Sequence, residues 1–88
     1  MTVTVFIPQQ LRSYTGGLTS VRVSGRTVDE ALRALDQAYP GIRFRFIDEQ
    51  NRIREHMRVF VDGERTRTLA QKLGPKAEIH VFGALSGG

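Results

Sequence analysis

The sequence predicts an α+β fold, one helix laid on a mixed sheet of four to five strands, and three observations predict it. A capping-box helix start stands about a third of the way along the chain, at Thr27. Short segments of alternating β-branched residues lie on both sides of it, and turns bearing glycine or proline separate them in the order β–β–α–β–β. At 88 residues such a chain holds one hydrophobic core and is one small domain, residues 1–83, followed by a short tail, residues 84–88.

The first strand is Val3-Thr4-Val5-Phe6-Ile7, stopped by Pro8, which has no N–H to give to a ladder. After Gln9 to Ser13, Tyr14-Thr15-Gly16-Gly17 supplies turn residues, and Ser20-Val21-Arg22-Val23-Ser24 alternates again before Gly25. The two strands read as an antiparallel pair with a long connection. Thr27-Val28-Asp29-Glu30 has the capping-box spacing, in which the Thr27 hydroxyl accepts from an orphan amide and Glu30 reaches back to the Thr27 N–H. Val28, Ala31, Leu32, Leu35 and Tyr39 then recur at helical spacing, an apolar stripe that faces the sheet, and Pro40-Gly41 ends the helix.

Residues 42–55 read as a loop with a short irregular strand, with a turn at Asp48-Glu49-Gln50-Asn51. Arg58-Val59-Phe60-Val61 is a strand closed by Asp62-Gly63, a hairpin signal. Thr66 to Leu73 is a loop or one helical turn. Gly74-Pro75 breaks the chain before the last strand, Glu78-Ile79-His80-Val81-Phe82, which leads into the tail.

Strand parity divides the sheet into two faces. With Val3, Val5, Ile7, Val59, Val61, Ile79 and Val81 toward the helix, Phe6, Phe60, His80 and Phe82 fall together on the far side. An aromatic cluster left uncovered there is a candidate binding surface, because monomers rarely expose large apolar patches.

Composition narrows the function classes. Hydrophobic residues at 40% and charged residues at 25% disfavour disorder and fibrous architectures. No apolar run is long enough to span a membrane and the start lacks a signal-peptide pattern, so a cytoplasmic protein is expected. The chain has no cysteine, so disulfides, thiolate nucleophiles and thiolate metal sites are excluded. His56 and His80 are the only histidines and no catalytic or metal-spaced cluster accompanies them, so neither an enzyme nor a metal site is expected. The net charge of +4 suits an acidic protein partner or a nucleic acid equally.

Gly87-Gly88 admits two readings. It is a frayed or linker-like end, or an unhindered acyl terminus that can be threaded into a narrow enzyme channel. The internal pair Gly16-Gly17 is explained by its turn alone.

Taken in order, Val3 to Pro8, Leu11-Arg12, Thr15-Gly16-Gly17, Gly25-Arg26-Thr27-Val28, Ala31-Leu32, Leu35, Tyr39-Pro40-Gly41-Ile42, Val59 to Gly63 and Ala84 to Gly88 resemble the ubiquitin-like β-grasp sulfur carriers of the MoaD/ThiS family. The likeness is greatest to the carriers of cysteine biosynthesis. The resemblance implies that an E1-like activating enzyme uses ATP to adenylate Gly88, and that a sulfur donor converts the acyl adenylate to a thiocarboxylate. A sulfur-accepting biosynthetic enzyme for cysteine, molybdopterin, thiamine or another metabolite then consumes it. The resemblance further implies that the carrier itself binds no cofactor and acts as a protein co-substrate, and a monomeric free state is expected.

Ala84, Leu85, Ser86 and Gly87 would be the flexible segment recognised by the partner, reaching roughly 16 Å when extended. Phe6, Phe60, His80 and Phe82 would form the docking surface, with the arginines as a basic rim. Gly83-Ala84-Leu85-Ser86 departs from the Pro- or Val-rich approach of several carriers, which leaves the pathway open. Two other classes stay beside this one. A ubiquitin-like modifier would pass the same activated Gly88 to a lysine. A small basic nucleic-acid module, the less favoured partner class, would use Arg43-Phe44-Arg45-Phe46, whose aromatics could stack on bases.

Overall fold

A computed structural model describes residues 2–83 of the chain. Five strands, a 3-10 helix and two α-helices follow one another as β1 (Thr2–Phe6), the 3-10 helix (Gln9–Thr15), β2 (Ser20–Ser24), α1 (Val28–Ala38), α2 (Arg43–Phe46), β3 (Met57–Val61), β4 (Glu64–Thr66) and β5 (Glu78–Gly83). The strands form one mixed sheet in the order β2-β1-β5-β3-β4. β5 pairs parallel with β1, through Thr4↔Glu78, Val5↔Ile79 and Phe6↔His80, and antiparallel with β3. The last strand is therefore the central one.

α1 forms where its caps and stripe say it should. The Thr27 hydroxyl accepts from the Glu30 N–H at 3.1 Å, and Val28, Ala31, Leu32 and Leu35 are buried. The return half of the capping box differs from expectation: the Glu30 carboxylate accepts from the Arg26 N–H at 2.8 Å, not from Thr27. The reason lies in the chain that passes this helix end. An isolated bridge pairs Thr27 with Lys72, and the carbonyls of Gln71 and Leu69 take the first helical N–H groups, those of Val28 and Asp29, at 3.0 Å each. Three of the helix's orphan donors, those of Val28, Asp29 and Glu30, thus find partners without the expected reciprocal bond. At the other end Gly41, at φ 97°, turns the chain as Pro40-Gly41 predicts, and the Asp36 carboxylate accepts from the Gly41 and Arg43 N–H groups at 3.0 and 3.1 Å.

Residues 42–55 depart most from the sequence reading. Arg43–Phe46 is a helical turn, not part of an irregular strand, and extended pairing is limited to the single bridge Ile47↔Ile53. Burial decides this. Ile42, Phe46 and Ile47 are all 0% exposed and belong to the core, and a helical turn places Ile42 and Phe46, four residues apart, on one side. The predicted turn at 48–51 is present: the Asp48 carboxylate accepts from the Gln50 and Arg52 N–H groups at 2.9 and 3.0 Å, with Asn51 at φ 60°.

The Asp62-Gly63 signal makes a two-residue hairpin with both φ values positive, 50° and 89°, the type I′ geometry that Asp-Gly favours. It adds β4 to the predicted order. After Thr66, the last residue of β4, the chain to Leu73 is a loop with turns, bridged to Thr27 at Lys72. The stretch Gln9–Thr15, read only as part of a long connection, is a 3-10 helix that puts Leu11 and Thr15 into the interior, and Gly16 and Gly17 follow at φ 67° and 94°. One cluster of buried residues, from Val3 to Val81, fills the space between α1 and the sheet.

Asp29 on the outer side of α1 ties the helices together. Its two oxygens accept from Arg33 Nε at 2.9 Å and Arg43 Nη2 at 3.0 Å, and the Arg43 group also donates to Asn51 at 3.1 Å. Burial alone would raise the Asp29 carboxyl, but the two arginines, by hydrogen bond and by charge, hold it below its ordinary value.

Two outcomes follow for stability. Leu32→Ala, at a fully buried site, is expected to lower the unfolding free energy by about 2–5 kcal/mol in urea titrations. Because Asp29 binds its proton more weakly when folded, its contribution is complete above the ordinary value of 3.8 and is lost as pH falls below it. Asp29→Asn should therefore flatten the loss of stability between neutral pH and about pH 3, measured by denaturant midpoints; an unchanged acid slope would exclude this carboxylate as a source.

Candidate functional site

The far face of the sheet carries the four side chains that strand parity puts there. Phe6 and His80, register partners across β1 and β5, stack with ring centroids 4.2 Å apart and planes 3° from parallel. Phe60 faces His80 across β3 and β5 and meets Phe82 edge to face at 5.6 Å. His80 and Phe82, two apart on β5, lie 6.2 Å apart and nearly parallel. Phe6, Phe60 and His80 are half-buried by one another, while Phe82 is 51% exposed. Offset and edge-to-face pairs of this kind hold rings in fixed positions, so the face is a preformed apolar patch.

The cluster is produced by alternation. Val5, Ile79, Val81, Val59 and Val61 on the same strands are buried on the α1 side, which forces their neighbours outward. The loop around Phe44 and Phe46 does not take part in the aromatic cluster. Phe46 is in the core, and Phe44, 52% exposed, has the Arg54 guanidinium 4.5 Å over its ring. The alternating Arg43-Phe44-Arg45-Phe46 run is thus split between core and surface, and it offers one exposed ring.

A groove of about 320 Å³ opens beside the patch, lined by Phe6, Pro8, Gln10, Arg12, His80 and Phe82 among others. Sequence reasoning missed the contribution of the 3-10 helix to this site. Gln10 lies so close over Gly83 that a Cβ at Gly83 would collide with its amide, and Arg12 is oriented by donating from Nε to the Ile7 carbonyl at 3.1 Å. The available signal was Pro8, whose extended backbone caps a short helix, and a glycine at the end of a strand. Ala84, Leu85, Ser86, Gly87 and Gly88, named from the sequence as the tail and its reactive end, lie outside the described residues. Among the described residues no cluster of His, Asp or Glu is arranged to hold a metal ion, and no helix is long and apolar enough to cross a membrane.

Comparison with known proteins decides the family, because the family model described as "ThiS family" matches residues 5–88. The chain belongs to the ThiS family. The sulfur carrier protein CysO of Mycobacterium tuberculosis is 32% identical over 93 aligned residues, with both chains covered completely. A chain of the crystal structure of the Amycolatopsis orientalis BexX/CysO complex superposes with a TM-score of 0.90 at 30% identity, covering 98% of this chain and 99% of that one. SAMP1 from Haloferax volcanii superposes at 0.84 with 26% identity and both chains covered completely. The five-stranded mixed sheet with its packed helix is accordingly the ubiquitin-like β-grasp fold. This member of the family is similar to the CysO sulfur carriers along its whole length.

The two faces of β5 should respond differently to truncation. Ile79→Ala, fully buried, is expected to cost about 2–5 kcal/mol. Phe82→Ala, three positions on and facing outward, should stay within about 1 kcal/mol of wild type, since the ring is half exposed and loses only its surface contacts with Phe60 and His80. Thermal or urea denaturation of the two variants checks this. Equal losses would show that Phe82 belongs to the core.

Proposed function

We propose that this chain is a sulfur carrier that works through its last residue. An ATP-dependent activating enzyme adenylates the Gly88 carboxylate with loss of pyrophosphate. A sulfur nucleophile then displaces AMP, leaving a thiocarboxylate that donates its sulfur in biosynthesis. The observation that carries the reading is the position of β5: the central strand of the sheet ends at Gly83, five residues before Gly88. The similarity to proteins named sulfur carrier protein CysO supports it.

The chemistry asks little of the carrier. A carboxylate is a poor acyl donor until AMP provides a leaving group, and the activating enzyme supplies that step. The carrier contributes position: a rigid sheet behind the tail lowers the entropy lost when the end is delivered to an active site. A short tail alone offers little specific area. Phe6, Phe60, His80 and Phe82 are the docking surface in this reading, and Ala84, Leu85, Ser86 and Gly87 are the segment the enzyme threads. Gly87 and Gly88 are suited to the narrowest part, having no side chains. The absence of cysteine leaves no internal thiol to compete for the activated end. A cytoplasmic location and a monomeric free state belong to the same proposal.

A second reading is favoured by the likeness to SAMP1, named a small archaeal modifier protein in another solved member. There the activated Gly88 would acylate a lysine amine.

Incubation with ATP, sulfide and the activating enzyme of the same organism, followed by intact-mass measurement, separates the outcomes. The carrier reading expects replacement of one oxygen by sulfur at the C-terminus. Absence of both adenylate and thiocarboxylate in wild type would sink it, and Gly-Gly remnants on lysines of other proteins would establish the modifier. Deletion of Gly88 should abolish transfer while leaving the thermal midpoint nearly unchanged.

A further inference from the structure

The aromatic face ends on one side in arginines that the fold brings together from three segments. Arg65 of β4 is the register partner of Phe60, and Arg58 of β3 is the register partner of Phe82. With Arg52 and Arg67 they line one open concavity of about 460 Å³ at the β3–β4 edge. Its one acidic lining residue is Glu55, against four arginines.

Arg52 is paired with Asp48, whereas Arg58, Arg65 and Arg67 are left without anionic partners among the described residues. Among the described residues, the ion pairs join Arg33 and Arg43 to Asp29 and Arg52 to Asp48. Arg58 donates from Nη1 to the backbone carbonyls of Glu55 and Met57, at 2.7 and 3.1 Å. The side chains of Arg65 and Arg67 are exposed, and neither is in an ion pair among those residues. Loss of some hydration at the crowded edge, then the charges of Arg67 and Arg58, hold the Arg65 proton more loosely than usual. Like charges gathered in this way repel until an anion reaches them.

We propose that this arginine edge is the electrostatic half of the docking face and receives an acidic segment of the activating enzyme, whose apolar residues cover Phe60 and Phe82. The inference rests on the carrier reading. An apolar centre with a charged rim is the anatomy of a protein interface, and the rim steers encounter and register. A nucleic acid fits less well. The ring faces of Phe6 and His80 are already stacked on each other and present little free surface to bases.

The test uses the full chain with Arg65→Gln and Arg67→Gln together, which disturbs no hydrogen bond among the described residues. Arg26→Gln with Lys76→Gln matches the charge change away from this edge. In ATP–pyrophosphate exchange by the cognate activating enzyme, the first pair should raise KM for the carrier roughly tenfold with kcat unchanged, and should flatten its rise with salt. The control pair should alter KM by less than about twofold. A wild-type KM and salt dependence in R65Q/R67Q would overturn the inference while leaving the carrier reading intact.

If wild type is not adenylated at all, the carrier reading fails, and a binding arm decides the surface by itself. There, a glutamate-rich peptide ending in leucine is titrated into the labelled chain and followed by NMR. Shifts at Phe60, Arg65 and Arg67 that vanish in the double variant support an acidic-segment site. Equal response to inorganic phosphate, or binding of poly-uridine RNA in place of the peptide, would overturn it.

Discussion

The parallel pairing of β1 with β5 is the constraint on which the rest of this molecule depends. It brings the first and last strands side by side and sets Glu78–Gly83 between two hydrogen-bonded neighbours. A parallel neighbour cannot be reached by a tight turn, so the chain between must cross over. α1 lies in that crossover, on the face where Val3, Val5, Ile79 and Val81 point. Burying these residues against Val28, Ala31, Leu32 and Leu35 fixes the register of β5, because a slip of one residue would exchange its two faces.

That register also builds the site. With Ile79 and Val81 held inside, His80 and Phe82 stand outside, His80 opposite Phe6 and Phe60. The same ladder places Arg58 beside Phe82 and Arg65 beside Phe60. The aromatic cluster, the basic edge and Gly83 are therefore held on one hydrogen-bonded sheet. The helical side bears a different electrostatic pattern, in which the Asp29 carboxylate is shared between Arg33 and Arg43. Arg58, Arg65 and Arg67 beside the aromatic face have no such carboxylate partner among the described residues.

Much of this was legible in the residues, and the exceptions have a common cause. Strands with strict alternation, the Thr27 cap, the Pro40-Gly41 stop and the Asp62-Gly63 hairpin are set by local backbone preferences and were read correctly. The far-face cluster was legible too, since parity needs only correct strand placement. Residues 42–55 were misread because Phe44, Phe46 and Ile53 sit among charges with no dominant period. Phe46 is helical because the core needs its ring, and Phe44 is exposed for the same geometrical reason. Gln10 over Gly83 was invisible, as it joins residues far apart in the chain.

The sequence by itself determined the elements, the division of each strand into two faces, the family resemblance and the glycine end, because these follow from φ/ψ preference, periodicity and covalent order. Only the tertiary structure decided the strand order, the partner of Glu30, the helical turn at Arg43–Phe46 and the gathering of Arg58, Arg65 and Arg67. Each depends on which distant segments share the core and the sheet edge, a choice made by packing and hydrogen-bond satisfaction summed over the whole chain.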